Sequence, residues 1–357
     1  MTKTRKLTKL SMPRHKTMYR SITYNTINHR KSEINVMTYN LCWGCMTANE
    51  KSQYDRTAEY LALKCMRTRI QTGQHQCATN IISNIALGFT KNTKNGKCDI
   101  LALQEATYWR LVYDGLRSHP EAKTAGFTNL GYIHHQTRTD TGALAELCTI
   151  YNKSRFELKQ VVLGDIGNGR PFQIIQFWCR DLGRELIVIN LHNSHSGSAN
   201  VIQAALNSNT VKMYNKFQKD GCLDAGIYEP TTDSNSGKLQ LGQNPFILFM
   251  GDTNDHGKFK LWRGFKPLTG AAGSNMNVSN QSHKPPTYSC CAPVGNSSKI
   301  RTRPNHEDFA YGDYVLASDN LKFLVNNIIP QKGINHDAAI YPASDHLPVL
   351  SVLSTRI

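Results

Sequence analysis

The sequence predicts an α/β protein built from two packed sheets covered by helices, and three observations lead to that prediction. Short apolar runs with β-branched residues recur from about residue 34 to residue 353, at the lengths of strands. These runs outnumber the segments with helical spacing. The two kinds do not alternate regularly, which disfavours a doubly wound single sheet.

The strand-like runs are Ile34–Leu41, Ile100–Leu103, Leu147–Tyr151, Phe172–Trp178, Leu186–Leu191, Pro245–Met250, Tyr314–Leu316 and Leu347–Leu353. Several are apolar at successive positions and so are expected to be buried on both faces. Helical spacing marks 54–66, 76–88 and 199–218. Asp220–Gln243 and Gly270–Asp308, rich in Asn, Ser, Gly and Pro, read as surface loops. Strand-like segments continue on both sides of each loop, so one domain over 33–357 is expected, and no internal repeat is visible.

Charge is unevenly distributed. The chain of 357 residues carries 42 Lys and Arg against 26 Asp and Glu, a formal charge of +16. Residues 1–32 hold nine of those bases and no acid, which reads as a solvated, disordered arm. Such an arm suits a polyanion, so nucleic acid is the expected partner. A basic, hydroxyl-rich, acid-poor head also fits a mitochondrial presequence, although its apolar stripe is poor. No run of eighteen apolar residues is present, and no apolar signal core follows the first residues. An intracellular, non-secreted protein is therefore expected, as a monomer, with the compartment left open.

With no secretory signal, the ten cysteines are expected as thiols rather than as a disulfide framework. Cys42, Cys45, Cys65 and Cys77 fit no standard zinc spacing, and Cys290 and Cys291 read as buried thiols.

The chemistry lies at the strand ends. Asn40 ends the first run, Glu105 follows the second as Leu-Gln-Glu, and His192 ends Val-Ile-Asn-Leu-His. Asp252 and Asn254 follow Phe-Ile-Leu-Phe-Met, Asp313 precedes Tyr-Val-Leu, and Asp345-His346 precede Leu-Pro-Val-Leu. A single carboxylate or amide at a strand end often only caps a turn. Repeated placement of Asp, Glu and His against buried strands needs pairing or a metal, because buried charge is costly. Carboxylate and amide oxygens suit a hard cation such as Mg²⁺. Together with imidazoles they supply what metal-assisted phosphate-ester hydrolysis requires.

The ordered set Thr-Tyr-Asn40, Leu-Gln-Glu105, Asn-Leu-His192, Gly-Asp252-Thr-Asn254, Asp313-Tyr-Val-Leu and Ser-Asp345-His346-Leu-Pro-Val resembles the endonuclease/exonuclease/phosphatase superfamily. The resemblance covers roughly residues 34–353. It implies a four-layer α/β/β/α sandwich with two packed mixed sheets, and a Mg²⁺-dependent phosphodiesterase with Mn²⁺ as a possible substitute. It further implies Glu105 as principal metal ligand, with Asn40 beside the metal or phosphate and Asp345 supporting the metal region. Asp252 would orient and deprotonate the attacking water, and Asn254 would position that aspartate and a phosphate oxygen. His346, oriented by Asp313, would contact the phosphate. His192 would stabilise developing charge or assist the leaving group, and Glu146 is matched loosely to the acid that partners this histidine in the deoxyribonuclease branch. His195 and Asp255 fit no motif position and read as local structure.

These motifs are shared by enzymes that act on different phosphate esters. Glu-Asp-Phe-Ala-Tyr-Gly before Asp313 departs from the motifs of the inositol 5-phosphatase and apurinic-endonuclease branches. The charge favours a nuclease or nucleic-acid-end processing enzyme. The alternatives are hydrolysis of inositol phosphate or phospholipid esters, and a catalytically dead phosphate-binding interaction protein.

Overall fold

Alternation decides which way each strand faces. In Glu33–Asn40 (β1), Ile34 and Val36 join one core while Met37 and Tyr39 join another. The same two-sided burial runs through Ile100–Gln104 (β2), where Ile100 and Ala102 face one core and Leu101 and Leu103 the other. Continuous apolar runs are thus strands covered on both faces.

The structure, a computed structural model, describes residues 33–47, 75–165, 167–193, 213–214, 245–253, 276–278, 313–328, 344 and 346–355. The basic arm, the expected helix at 54–66, most of 199–218 and nearly all of both long loops lie outside the described residues.

Beyond β1 and β2, the strands in chain order begin with Leu130–Arg138 (β3), Leu144–Asn152 (β4), Phe156–Asp165 (β5), Pro171–Cys179 (β6) and Arg184–His192 (β7). Met213–Tyr214 (β8), Phe246–Asp252 (β9), Met276–Val278 (β10), Asp313–Ser318 (β11), Leu321–Ile328 (β12) and Val349–Thr355 (β13) follow. They form a six-stranded sheet, β12-β13-β1-β2-β4-β3, and a seven-stranded sheet, β10-β11-β9-β7-β6-β5-β8. Each is mixed, with one parallel pair, β1–β2 in the first and β7–β9 in the second.

One apolar core lies between the sheets, where Val36, Ile100 and Val349 meet Val188, Leu248 and Val315. Gln76–Asn92 (α2) and Trp109–Ser118 (α3) cover the outer face of the first sheet through Ile81, Ile85, Phe89, Val112 and Leu116. A short helix, Trp43–Thr47 (α1), precedes them. Outward-facing Ile187, Ile189, Ile247 and Phe249 of the second sheet are buried too, as a covered outer face requires. At the end of the sandwich where β1 begins, Arg155 bridges Asp99 (2.6 Å) and Asp181 (2.9 Å), and Asp99 also accepts from the Asn35 amide.

Two sequence expectations are corrected. Met213 and Tyr214, given helical spacing, pair as strand β8 with Val161 and Val162 of β5, so a sheet edge overrides the local pattern. Met276–Val278, expected within a surface loop, forms an edge strand against β11. Strands β3, β5 and β12 and helix α3 were not anticipated.

Candidate active site

Strand direction gathers the site at one edge. Because β1 and β2 run parallel, Asn40 and Gln104 end side by side, and the parallel pair β7–β9 likewise sets His192 beside Asp252. The antiparallel neighbours begin where those strands end. Asp313 opens β11 opposite Asp252, and His346 stands just before β13, which pairs Val349 with Thr38. Four functional residues also share a parity. Asn40, His192, Asp252 and Asp313 each continue the face whose other members (Val36, Val188, Met250, Val315) fill the inter-sheet core. They are the outermost rung of that face, at the mouth of the sandwich.

Glu105 breaks the alternation, which would send it to the helix side with Leu103. Its backbone turns at φ +48, in the left-handed region. Its carboxylate thereby meets Asn40 Nδ2 at 3.3 Å and accepts from the Trp43 amide. Cys42 (φ +60) is the second left-handed residue there, and its N–H donates to Asn40 Oδ1 at 3.0 Å.

Asn40 Nδ2 also donates to Asp252 Oδ2 at 3.0 Å, so a single amide bridges carboxylates from both sheets. His192 Nε2 lies 3.7 Å from Glu105 Oε1 and 3.7 Å from Asp252 Oδ2. His346 Nε2 lies 3.8 Å from Asp252 Oδ2, while its Nδ1 meets Asp313 Oδ2 at 2.8 Å. Ser344 fixes the approach to His346, donating to Asn40 O and accepting from the His346 amide.

Burial pushes His192 down to about 4, outweighing the pull of Glu105, so its imidazole is neutral at neutral pH. Burial works to raise the Glu105 carboxyl, but His192, the Trp43 N–H and His346 hold it below its usual value. Asp252, Asp313 and His346 offer donor atoms within 4.8 Å of one another, a group that could hold a metal ion. The converging carboxylates of Glu105 and Asp252 are oxygen donors suited to a hard cation.

Six of the expected residues therefore come together: Asn40, Glu105, His192, Asp252, Asp313 and His346. Asn254 and Asp345, with His195 and Asp255, lie outside the described residues. Glu146 does not pair with His192. On β4, Thr149 and Tyr151 face the other sheet, so Glu146 shares the helix side with Cys148. Its carboxylate faces His134 at 3.4 Å.

The sequence reading missed Arg170, whose Nη1 lies 3.2 Å from each ring nitrogen of His192. It immediately precedes β6, and the pairing of Phe172 with Leu191 brings it to the site. Only that pairing reveals it. Arg170, Trp43, Asn168, Leu144 and Thr139 line a cleft of about 620 Å³ that contains Glu105 and His192. The expectation of free thiols is also corrected. Cys42 and Cys77 are disulfide-bonded, while Cys98, Cys148 and Cys179 are free and buried. The absence of a signal core carries no information about the fit between particular cysteine positions, which the fold decides.

Solved structures share this architecture. ANGEL2, a 2′,3′-cyclic phosphatase in complex with adenosine-2′,3′-vanadate, superposes with TM-score 0.55 over 91% of this chain and 96% of its own, at 14% identity. The chain has the endonuclease/exonuclease/phosphatase fold. Human nocturnin's catalytic domain, with bound sulfate, gives TM-score 0.51 at 13% identity, covering 91% of this chain and 95% of that one. An endonuclease/exonuclease/phosphatase family protein from Bacteroides thetaiotaomicron gives 0.51 at 14% identity, covering 91% and 96%. No protein-family profile and no curated sequence matches the chain. Among the described residues, no helix is long and apolar enough to cross a membrane.

Proposed function

We propose that the protein is a Mg²⁺-dependent phosphodiesterase acting on nucleic acid, as a nuclease or an enzyme that processes nucleic-acid ends. The observation that carries the reading is the convergence of Glu105 and Asp252 on one Asn40 amide, with two histidines and Arg170 around them. Two carboxylates that close call for a cation, and Glu105 and Asn40, with Asp345, would hold Mg²⁺ or Mn²⁺. Bound there, the metal would neutralise charge on the phosphate.

The protein's own groups divide the remaining work. Asp252, held by Asn40, accepts a proton from the attacking water, with Asn254 assigned to position that aspartate and a phosphate oxygen. Asp313 accepts from His346 Nδ1–H and its charge favours the doubly protonated ring, whose Nε2–H donates to a phosphoryl oxygen. Neutral His192 and cationic Arg170 face the same space and stabilise charge as the ester bond breaks. Nucleic acid is favoured by the uncompensated bases of residues 1–32. ANGEL2, which shares the fold and was solved in complex with adenosine-2′,3′-vanadate, lends support to a nucleotide ester as substrate.

The test is hydrolysis of bis-p-nitrophenyl phosphate with and without Mg²⁺. A panel of single- and double-stranded DNA, abasic DNA, 5′-tyrosyl DNA, poly(A) RNA, an inositol polyphosphate and sphingomyelin follows. Cleavage of nucleic acid is expected. Turnover of only the inositol phosphate or the lipid would replace the substrate class, and no Mg²⁺-dependent turnover would remove the activity.

A further inference from the structure

Directly beneath the candidate active site the inter-sheet core stops being apolar. Thr38, Gln104, Thr149, Gln173 and Asn190 are all fully buried, and they are joined in a single direction. Thr38 Oγ1 donates to Gln104 Oε1 (3.1 Å), and Gln104 Nε2 donates to Asn190 Oδ1 (2.8 Å). Asn190 Nδ2 donates to Thr149 Oγ1 (3.1 Å), and Thr149 donates to Gln173 Oε1 (2.6 Å). Gln173 Nε2 closes the chain on the Ile133 carbonyl (3.0 Å). Four of these five links cross from one sheet to the other.

Deeper in the sandwich the same faces carry Val36, Ala102, Val188 and Leu248. An apolar layer would serve cohesion as well here, since buried polar groups contribute little net stability. Apolar contact is non-directional, however, whereas a fully satisfied chain of hydrogen bonds fixes its members' relative positions. The layer's members are also the immediate neighbours of the site. Thr38 precedes Asn40 on one face of β1, Asn190 precedes His192 on one face of β7, and Gln104 adjoins Glu105.

We propose that Thr38, Gln104, Asn190, Thr149 and Gln173 are positioning residues that set the first sheet's Asn40–Glu105 edge against the second sheet's His192–Asp252 edge. The proposal rests on the phosphodiesterase reading for its catalytic consequence, but not for its effect on the geometry of the metal donors.

The experiment compares wild type with Thr149→Val, Thr149→Ser and a variant with the whole layer apolar (T38V/Q104L/T149V/Q173L/N190L). Each is measured for Tm, for kcat and KM on bis-p-nitrophenyl phosphate, and for Mn²⁺ affinity by electron paramagnetic resonance. The five-fold variant leaves none of the five side chains' polar atoms unpaired, so it should keep a Tm near wild type. It should lose kcat on the order of tenfold or more with little change in KM, and bind Mn²⁺ more weakly. Thr149→Val should show the same losses in smaller degree, and Thr149→Ser, which keeps the hydroxyl, should restore them. Folded variants whose kcat and Mn²⁺ affinity match wild type would overturn the positioning role. If the five-fold variant does not fold, the Val and Ser pair decides alone. A wild type that binds Mn²⁺ but hydrolyses nothing would instead sink the phosphodiesterase reading, and Mn²⁺ affinity would still judge the layer.

Discussion

Asp313 and His346 meet at 2.8 Å between Oδ2 and Nδ1, joining the start of β11 to the approach of β13. A carboxylate there can only accept, so Nδ1 carries the hydrogen and Nε2 faces Asp252, 3.8 Å away. Asp313→Asn removes the charge that favours the doubly protonated ring and offers an amide that can donate to Nδ1 instead. We predict a fall in kcat of about 10²-fold or more with Tm little changed. Near-wild-type kcat in this variant would remove His346 from the chemistry.

Metal dependence should be reversible. Hydrolysis should stop with EDTA and return with Mg²⁺ or Mn²⁺. Glu105→Gln should raise the Mg²⁺ concentration for half-maximal rate, because a charged oxygen ligand becomes neutral. Full activity in EDTA, or rescue by Zn²⁺ alone, would contradict the assignment.

At Gly251, β9 runs against β7 with no room for a side chain. A Cβ there would lie 2.1 Å from Leu191 O, inside any permitted contact, one residue before Asp252. Gly251→Ala should therefore push β9 off β7, costing roughly 1 to 3 kcal/mol and displacing Asp252 from Asn40. Denaturant unfolding together with kcat checks both effects. An unchanged stability would mean that the β7–β9 pairing is looser than described.

His135 gives the fold an acid limit away from the site. Burial lowers it from 6.5 to about 4, and its Nε2 lies 3.1 Å from Gly164 O. A histidine depressed on folding contributes stability that is complete above pH 6.5 and lost as pH falls toward 4. The loss from this group should approach 1.4 kcal/mol per pH unit at most, an order-of-magnitude bound. His135→Gln should flatten the Tm profile across that window, and an unaltered slope would assign the acid limit to other groups.

The disulfide state of Cys42 and Cys77 is open to direct labelling. Alkylation of the unreduced, denatured chain followed by mass spectrometry should modify Cys98, Cys148 and Cys179 but leave Cys42 and Cys77 unmodified until reductant is added. Their labelling without reductant would refute the bonds.

The sequence made most of the site legible because its rule is local. An apolar run that ends in Asn40, His192 or Asp252 shows a polar residue at the last inward position of a buried strand, and order along the chain supplies the rest. What escaped depends on pairing between distant strands. Arg170 sits in a Gly-rich turn and acquires meaning only when Phe172 lies opposite Leu191. Glu146 was misassigned because its parity on β4 could not be read before Thr149 was known to face the second sheet. The polar layer was invisible for the same reason. Gln104 and Asn190 read as parts of motifs, and only the packing of one sheet on the other makes them neighbours.

Apart from Arg170, the groups assigned to chemistry hang from strand ends anchored in the sandwich, whereas Thr139, Asp140, Thr141 and Asn168 on the cleft wall belong to the turns joining β3 to β4 and β5 to β6. Turns accept substitution and insertion at little cost to the core. The two kinds of residue can therefore diverge at different rates. A descendant of this chain could exchange one ester for another by rewriting two hairpin tips around Arg170, with the rest of the hydrolytic apparatus inherited intact.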